Sequence, residues 1–276
     1  MLDALERLEL FLYRRPAAVV AVTNAFRDNL IGRGIDGTKI SVTRNGVDLA
    51  RFSPMPRDAG LAAELGLTDK FVVGYVGTHG MAHALGTMLE TAAVMREDED
   101  IRFVLLGDGA EKPALQARAA ELGLTNMQFL DSVPRAEVPR YWSLLDASLI
   151  HLRKTDLFRT VIPSKLFECM AMGLPVLHGV EGESAEIVRE TQVGEVFPSE
   201  DARMLEIAIR RLKDDADYRI RLVANGLRAA RLFDRKRLAL QMLETLEMIV
   251  SGAPVVTAAV SCPVLLRPLP DPRIPS

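Results

Sequence analysis

"KFVVGYVGTHGMAHALGTMLETAAVMREDEDIRFVLLGDG" (residues 70–109) decides the fold. It contains one complete strand, loop, helix and strand. "KFVVGYVG" (70–77) is almost continuously apolar and ends on glycine, the pattern of a strand covered on both faces. "LGTMLETAAVMRED" (85–98) places Leu85, Met88, Leu89, Ala92 and Met95 at helical spacing, and "IRFVLLGDG" (101–109) is the next buried strand. The alternation continues down the chain. "KPALQARAAELGL" (112–124) reads as a helix with proline in its first turn, "NMQFLDSVP" (126–134) as a strand, and "AEVPRYWSLL" (136–145) as a helix. "DASLIHL" (146–152), "PVLHGV" (175–180) and "VGEVFP" (193–198) read as strands, with helices at 164–172 and 184–191 between them and three more helical stretches to about Val250. Repeated βα units with apolar strands predict an α/β fold with a parallel sheet between helices. Ligands of such sheets bind at the carboxyl ends of the strands.

The first residues read as helix (5–16), strand (17–23), helix (24–34) and a strand running through 39–54 into a turn at Asn45-Gly46. Ser53 to Gly60, with two prolines, predicts a linker or hinge. The stretch after Ser251 is proline-rich and aperiodic, which predicts an irregular or disordered tail over 251–276. The 276 residues carry 34 Lys+Arg against 37 Asp+Glu, a net charge of −3 that gives no reason to expect nucleic acid as a partner. Cys169 and Cys262 are far apart and form no CxxC, so neither a disulfide framework nor a zinc site follows. No signal-peptide pattern and no apolar run of membrane-spanning length is present, which fits the cytoplasm.

Three loops at the carboxyl edge carry candidate chemistry. In "VGTHGMAHAL" (76–85), Gly77 and Gly80 let backbone approach a phosphate, Thr78 offers a hydroxyl and His79 an imidazole. A tight βα turn explains the same glycines, and the pattern is not GxGxxG, so a dinucleotide reading is poor. Asp108, between two glycines, is either a helix-start signal or a site residue. Asp98-x-Asp100 matches a metal-binding DxD only superficially: it lies on the amino-terminal edge of the sheet and reads as a solvated charged turn.

The third is "TVIPSKLFECMAMGLPV" (160–176), where Ser164 is the expected N-cap and Gly173 the helix end. Leu166, Phe167, Met170 and Ala171 make the buried stripe, and Lys165, Glu168 and Met172 a second one that includes the loop side. A surface Lys165–Glu168 pair is one reading, although Lys before Glu is the weaker order and a first-turn cation opposes the helix dipole. A phosphate held by Lys165 and the helix N-terminus, with a sugar diol on Glu168, is the other.

In this order, "SVTRNGVDLARFSP" (41–54), "VGYVGTHGMAHAL" (73–85), "FVLLGDGAEKPAL" (103–115) and "FRTVIPSKLFECMAMGLPVL" (158–177) resemble family 4 glycosyltransferases of the GT-B fold, in the branch serving bacterial surface polysaccharides. The likeness runs from about Leu5 to Val250. It implies a Rossmann-like C-terminal donor domain (53–233), a remnant of a Rossmann-like N-terminal acceptor domain with the hinge (1–52), and a C-terminal helix (234–250) crossing back to the first domain. It implies a retaining hexosyl or N-acetylhexosaminyl transfer from a nucleotide-sugar, UDP before GDP, without a metal or other cofactor. The second Glu of the family's Glu-x7-Glu falls on Glu168, a ribose-binding position, while the first falls on Thr160. The diphosphate-binding Arg and Lys of the first loop fall on Thr78 and His83, so Lys165 would supply the missing cation. The implied donor site is Gly77, Thr78, His79, Gly80, Asp108, Ser132, Val133, Ser164, Lys165, Leu166 and Glu168. The base lies near Ser132 and Val133, and Gly182, Glu183 and Ser184 lie within reach of sugar or phosphate.

No histidine here matches the family's active-site histidine, so the catalytic residues stay unassigned and the chain reads as truncated at its N-terminus. A separately encoded N-terminal half and a lipid-linked glycan acceptor are the further partners implied, with peripheral contact at the inner face of the membrane. Two alternatives remain open: a non-catalytic nucleotide-sugar-binding remnant or subunit, and a sugar-nucleotide 2-epimerase.

Overall fold

The computed structural model describes residues 2–251. The chain divides into two compact units, one made of residues up to Thr43 with those from Gln241 onward, the other of Arg44–Leu240. The tail expected over 251–276 lies outside the described residues except for Ser251.

The first unit contains α1 (Leu2–Arg14), β1 (Val19–Ala21), α2 (Asn24–Gly32) and β2 (Ile40–Val42). Thr23 starts α2 because its hydroxyl accepts the Phe26 N–H at 3.0 Å. The two strands pair in parallel, Val19 opposite Ile40, and Val19, Ala21, Leu30, Ile35 and Ile40 form a small core. Leu10 and Tyr13 of α1 pack on that core, and Arg33 holds α1 through Glu9 at 2.7 Å. The strand expected to run from residue 39 into the Asn45-Gly46 turn is three residues long, and a turn follows at residues 49–51.

The second unit begins with a helix the sequence reading missed, α3 (Ala59–Glu64). Ser53–Asp58 of the predicted linker are non-regular; Asp58 then caps α3 by accepting the Leu61 N–H at 2.8 Å. There follow β3 (Phe71–Val76), α4 (Gly86–Val94), β4 (Ile101–Leu106), α5 (Lys112–Glu121), β5 (Met127–Leu130), α6 (Val138–Trp142) and β6 (Ala147–His151). Then come α7 (Lys165–Met172), β7 (Val176–Gly179), α8 (Glu183–Thr191), β8 (Gly194–Val196), α9 (Ala202–Asp214) and α10 (Ala216–Ala230). Helix α11 (Arg235–Val250) contains the boundary between the units.

The six strands form one parallel sheet in the order β5-β4-β3-β6-β7-β8. The chain moves outward from β3 to β5, then returns to place β6 on the other side of β3. Right-handed crossovers running in opposite directions put the two helix groups on opposite faces, as the apolar strands require. The crevice at the β3/β6 switch is where such a sheet opens toward ligands. Val73, Tyr75, Met88, Phe103, Leu149 and Ile209 belong to one buried cluster spanning several strands and helices. Each such side chain contributes about 1.5–3 kcal/mol by leaving water.

The charged turn at 96–100 is largely exposed, as expected, but Asp98 within it is half-buried: its carboxylate accepts from Lys213 at 3.1 Å and Arg210 at 3.4 Å, pinning the turn before β4 to α9. Among the described residues no His, Cys, Asp and Glu cluster could hold a metal ion, and no helix is long and apolar enough to cross a membrane.

Candidate nucleotide-sugar site

Helix α7 brings the first candidate to the switch crevice. Ser164 stands at its N-cap position but has helical backbone angles and makes no side-chain capping bond, while Gly173 ends the helix with φ 70°. The helix is buried almost all round: Leu166, Phe167, Cys169, Met170, Ala171 and Met172 are all inside. Met172 thus belongs to the core and not to the loop-side stripe. Phe167 stacks on Phe233 with ring centroids 4.4 Å apart. Only Lys165 and Glu168 are half-buried within this helix, so packing fixes the helix and leaves these two at its edge.

Lys165 does not pair with Glu168. Its Nζ donates to Tyr75 Oη at 3.1 Å and stands over the Tyr75 ring, 4.4 Å from the centroid. Tyr75 is itself fixed, because its hydroxyl donates to the Thr78 carbonyl at 2.8 Å. Gly77 has φ 143°, a backbone conformation that favours glycine, and a Cβ there would displace the Lys165 ammonium from its place. A lysine ammonium has three donors, and the one hydrogen bond it makes among the described residues goes to a neutral hydroxyl. Burial pulls Lys165 down to about 8, against the opposing field of Glu168. An anion at Gly77 would restore the charge.

Glu168 accepts no hydrogen bond among the described residues. Burial holds its carboxyl above the ordinary range, against the pull of Lys165, Arg135, Arg235 and Arg51. The last three are exposed cations that the sequence reading did not single out; they reach Glu168 from three separate segments of the second unit. Tyr75 was missed for a similar reason: it reads as a strand residue, and its role appears only when α7 lies beside β3.

The remaining candidates divide by exposure. Thr78 and Asp108 are exposed, and Asp108 accepts the N–H of Gly109 at 2.7 Å, a turn-forming bond. Gly80 is half-buried and begins the turn that ends at His83. His79 is fully buried, with its backbone N–H on the Asp108 carbonyl at 2.8 Å; burial first and Lys112 second pull its imidazole down to about 4, so it is neutral. Ser132 is exposed and Val133 half-buried just beyond β5. The Leu166 side chain is fully buried and its N–H donates to the Pro163 carbonyl at 3.0 Å, so it packs the helix and presents no contact to the crevice. Thr160 spends its hydroxyl on the Leu157 carbonyl at 2.7 Å. Ser184 is fully buried against His178 Nε2 at 2.8 Å, and Glu183 accepts Arg44 at 2.6 Å, so neither stands open as expected.

The sequence profile described as Glycosyl transferases group 1 matches residues 61–229, and that described as Glycosyltransferase Family 4 matches residues 2–51. The chain belongs to the glycosyl transferases group 1 family, and its α/β architecture is that of GT-B glycosyltransferases. It is 29% identical over 159 residues to the putative colanic acid biosynthesis glycosyl transferase WcaI of Escherichia coli (strain K12), covering 56% of this chain and 38% of that protein. It is 24% identical over 240 residues to the amylovoran biosynthesis glycosyltransferase AmsK of Erwinia amylovora, covering 86% and 57%. The chain thus spans about half the length of the curated relatives it matches. Among solved structures, Anabaena Alr3699/HepE in complex with UDP and glucose superposes with a TM-score of 0.77 at 22% identity, covering 87% of this chain and 66% of that one.

Proposed function

We propose that the second unit binds a nucleotide-sugar, UDP-linked in preference to GDP-linked, as the donor half of a retaining hexosyl- or N-acetylhexosaminyltransferase. The observation that carries this reading is Lys165: a half-buried ammonium beside Gly77, at the switch point of a parallel sheet, with no carboxylate bonded to it among the described residues. The diphosphate lies between the Gly77–Gly80 loop and Lys165, Glu168 takes the ribose hydroxyls, and the base rests along the backbone after β5 near Ser132 and Val133. Strand β5 is two strands from β3, about 10 Å at ordinary strand spacing, which suits the reach from a diphosphate across a ribose to its base. The site needs no metal, because the ammonium supplies the charge that a divalent ion supplies elsewhere.

Residues 2–51 are proposed as part of the acceptor-binding domain. A two-stranded parallel sheet is marginal alone, and β1 and β2 are suited to pair with further strands, supplied by the same polypeptide or by a separately encoded one. The names of WcaI and AmsK favour an acceptor in surface-polysaccharide synthesis. A lipid-linked glycan acceptor would bring the protein to the cytoplasmic face of the membrane.

Calorimetric titration with UDP and GDP tests the donor reading. One saturable site for UDP, weaker for GDP, is expected; no binding of either at millimolar concentration overturns it. If UDP binds, release of sugar from UDP-sugars separates a working transferase from a binding subunit.

A further inference from the structure

Helix α5, like α7, opens with a lysine. Lys112 also stands in the first turn, where a cation opposes the helix dipole. The two lysines turn their ammonium groups to opposite uses. Lys112 is buried, and all three of its N–H donors have acceptors: the Gly107 carbonyl at 2.9 Å, the Leu130 carbonyl at 3.2 Å and Asp131 Oδ1 at 2.6 Å. Gly107 and Leu130 lie at the carboxyl ends of the adjacent strands β4 and β5, and the Gly107 N–H donates to the Leu130 carbonyl at 3.1 Å. Gly107 has φ 146°, and a Cβ there would run into the Gly77 carbonyl. One ammonium therefore ties the end of β5 to the Gly107 turn, which in turn lies against the Gly77 loop.

Asp131 is an exposed carboxylate at 97% of its side-chain accessibility, yet its oxygen is committed to a buried partner. That bond holds its carboxyl below the usual range. Ser132 and Val133 follow directly. Asp131 is the first residue beyond β5, so its bond to Lys112 tethers the chain just where it leaves the strand.

We propose that Lys112 is a positioning residue for nucleobase recognition: through Gly107, Leu130 and Asp131 it fixes the Asp131–Val133 backbone at the distance from the Gly77 loop that a nucleoside diphosphate spans. The inference rests on the donor-site reading above. It makes base-dependent affinity separable from diphosphate affinity, since Lys165 stands at the Gly77 loop while Lys112 holds the end of β5.

The test uses the full chain and two probes, UDP and inorganic pyrophosphate. Lys112→Met is expected to weaken UDP by about tenfold through the displaced Asp131–Val133 backbone, and to weaken pyrophosphate clearly less. Lys112→Arg recovers most of the UDP affinity. Asp131→Ala removes an exposed side chain and leaves Lys112 its two carbonyl acceptors, and it gives the same selective loss at smaller size. UDP affinity unchanged in Asp131→Ala, or both ligands weakened alike in either variant, overturns the proposal. A wild-type chain that binds pyrophosphate but gains nothing from the base overturns it while leaving a diphosphate site standing. A wild-type chain that binds neither probe overturns the donor reading and this inference with it.

Discussion

Replacing Lys165 with alanine removes an ammonium held by one 3.1 Å hydrogen bond to Tyr75 and by the face of the tyrosine ring, 4.4 Å away. Neither contact ties up the group's full charge, and burial has already brought its pKa to about 8. The lysine therefore contributes little to the fold and most of its charge to a bound anion. Loss of a charge-assisted hydrogen bond costs about 1.5–3 kcal/mol, so the Kd for UDP should rise roughly 10- to 150-fold. Thermal stability should hold or improve, because an incompletely partnered buried charge is removed. The pH dependence gives a second, independent readout. In the free protein Lys165 loses its proton as pH rises through about 8, whereas a bound diphosphate keeps it protonated to higher pH. Apparent affinity should then be nearly flat from pH 7 to 7.5, where the diphosphate is already ionised, and fall as pH rises beyond 8. Near-complete loss of this slope in Lys165→Ala is expected by calorimetry across pH 7–10. An unchanged Kd, or the same alkaline slope in the variant, would refute the assignment of Lys165 as the anion ligand.

The other consequences concern neighbouring residues. Glu168→Gln should weaken UDP while sparing pyrophosphate, because the carboxylate is assigned to the ribose; equal weakening of both would place Glu168 elsewhere. Since burial raises the Glu168 carboxyl, wild-type selectivity for UDP over pyrophosphate should decline toward acid pH as that group takes up a proton, and the Gln variant should lack this decline. Gly77→Ala puts a Cβ against Lys165 Nζ at a positive φ and should reduce UDP affinity nearly as far as Lys165→Ala, measured in the same titration. Phe167→Ala, which empties the contact with Phe233 under α7, should destabilise the second unit by about 3–5 kcal/mol in denaturant unfolding. A loss under 1 kcal/mol there would mean α7 is not anchored as described.

Much of this architecture was legible in the sequence because strands covered on both faces must be apolar throughout, as in Phe71–Val76 and Ile101–Leu106. The order of the strands also points to the carboxyl-edge loops. Helix α3 was misread because Pro54 and Pro56 suggested a longer linker, although Asp58 is the N-cap of a helix. The strand at Ile40 ends at Val42, short of the expected turn at Asn45-Gly46, and Val47 beyond that turn bridges to Asp234. Within the site, the dipole argument picked out Lys165, and the family resemblance picked out Glu168. Lys112 leaves no distinct signal in "GDGAEK", which reads as an ordinary helix start, because its acceptors lie at the ends of two separate strands. The side chain of Leu166 is in the core, as the helical repeat of 164–172 expects. Tyr75, Arg51, Arg135 and Arg235 left no local signal: each acquires its role from residues far away in the chain.

The central claim is that the β3/β6 switch crevice holds a nucleoside diphosphate between Gly77 and Lys165. Crystals of the protein soaked with UDP test it most directly. The account predicts diphosphate density over the Gly77–Gly80 loop within hydrogen-bonding distance of Lys165 Nζ, the ribose at Glu168 and the base along Asp131–Val133. UDP ordered at another place on the protein, or a crevice that stays clear at millimolar UDP, would contradict it.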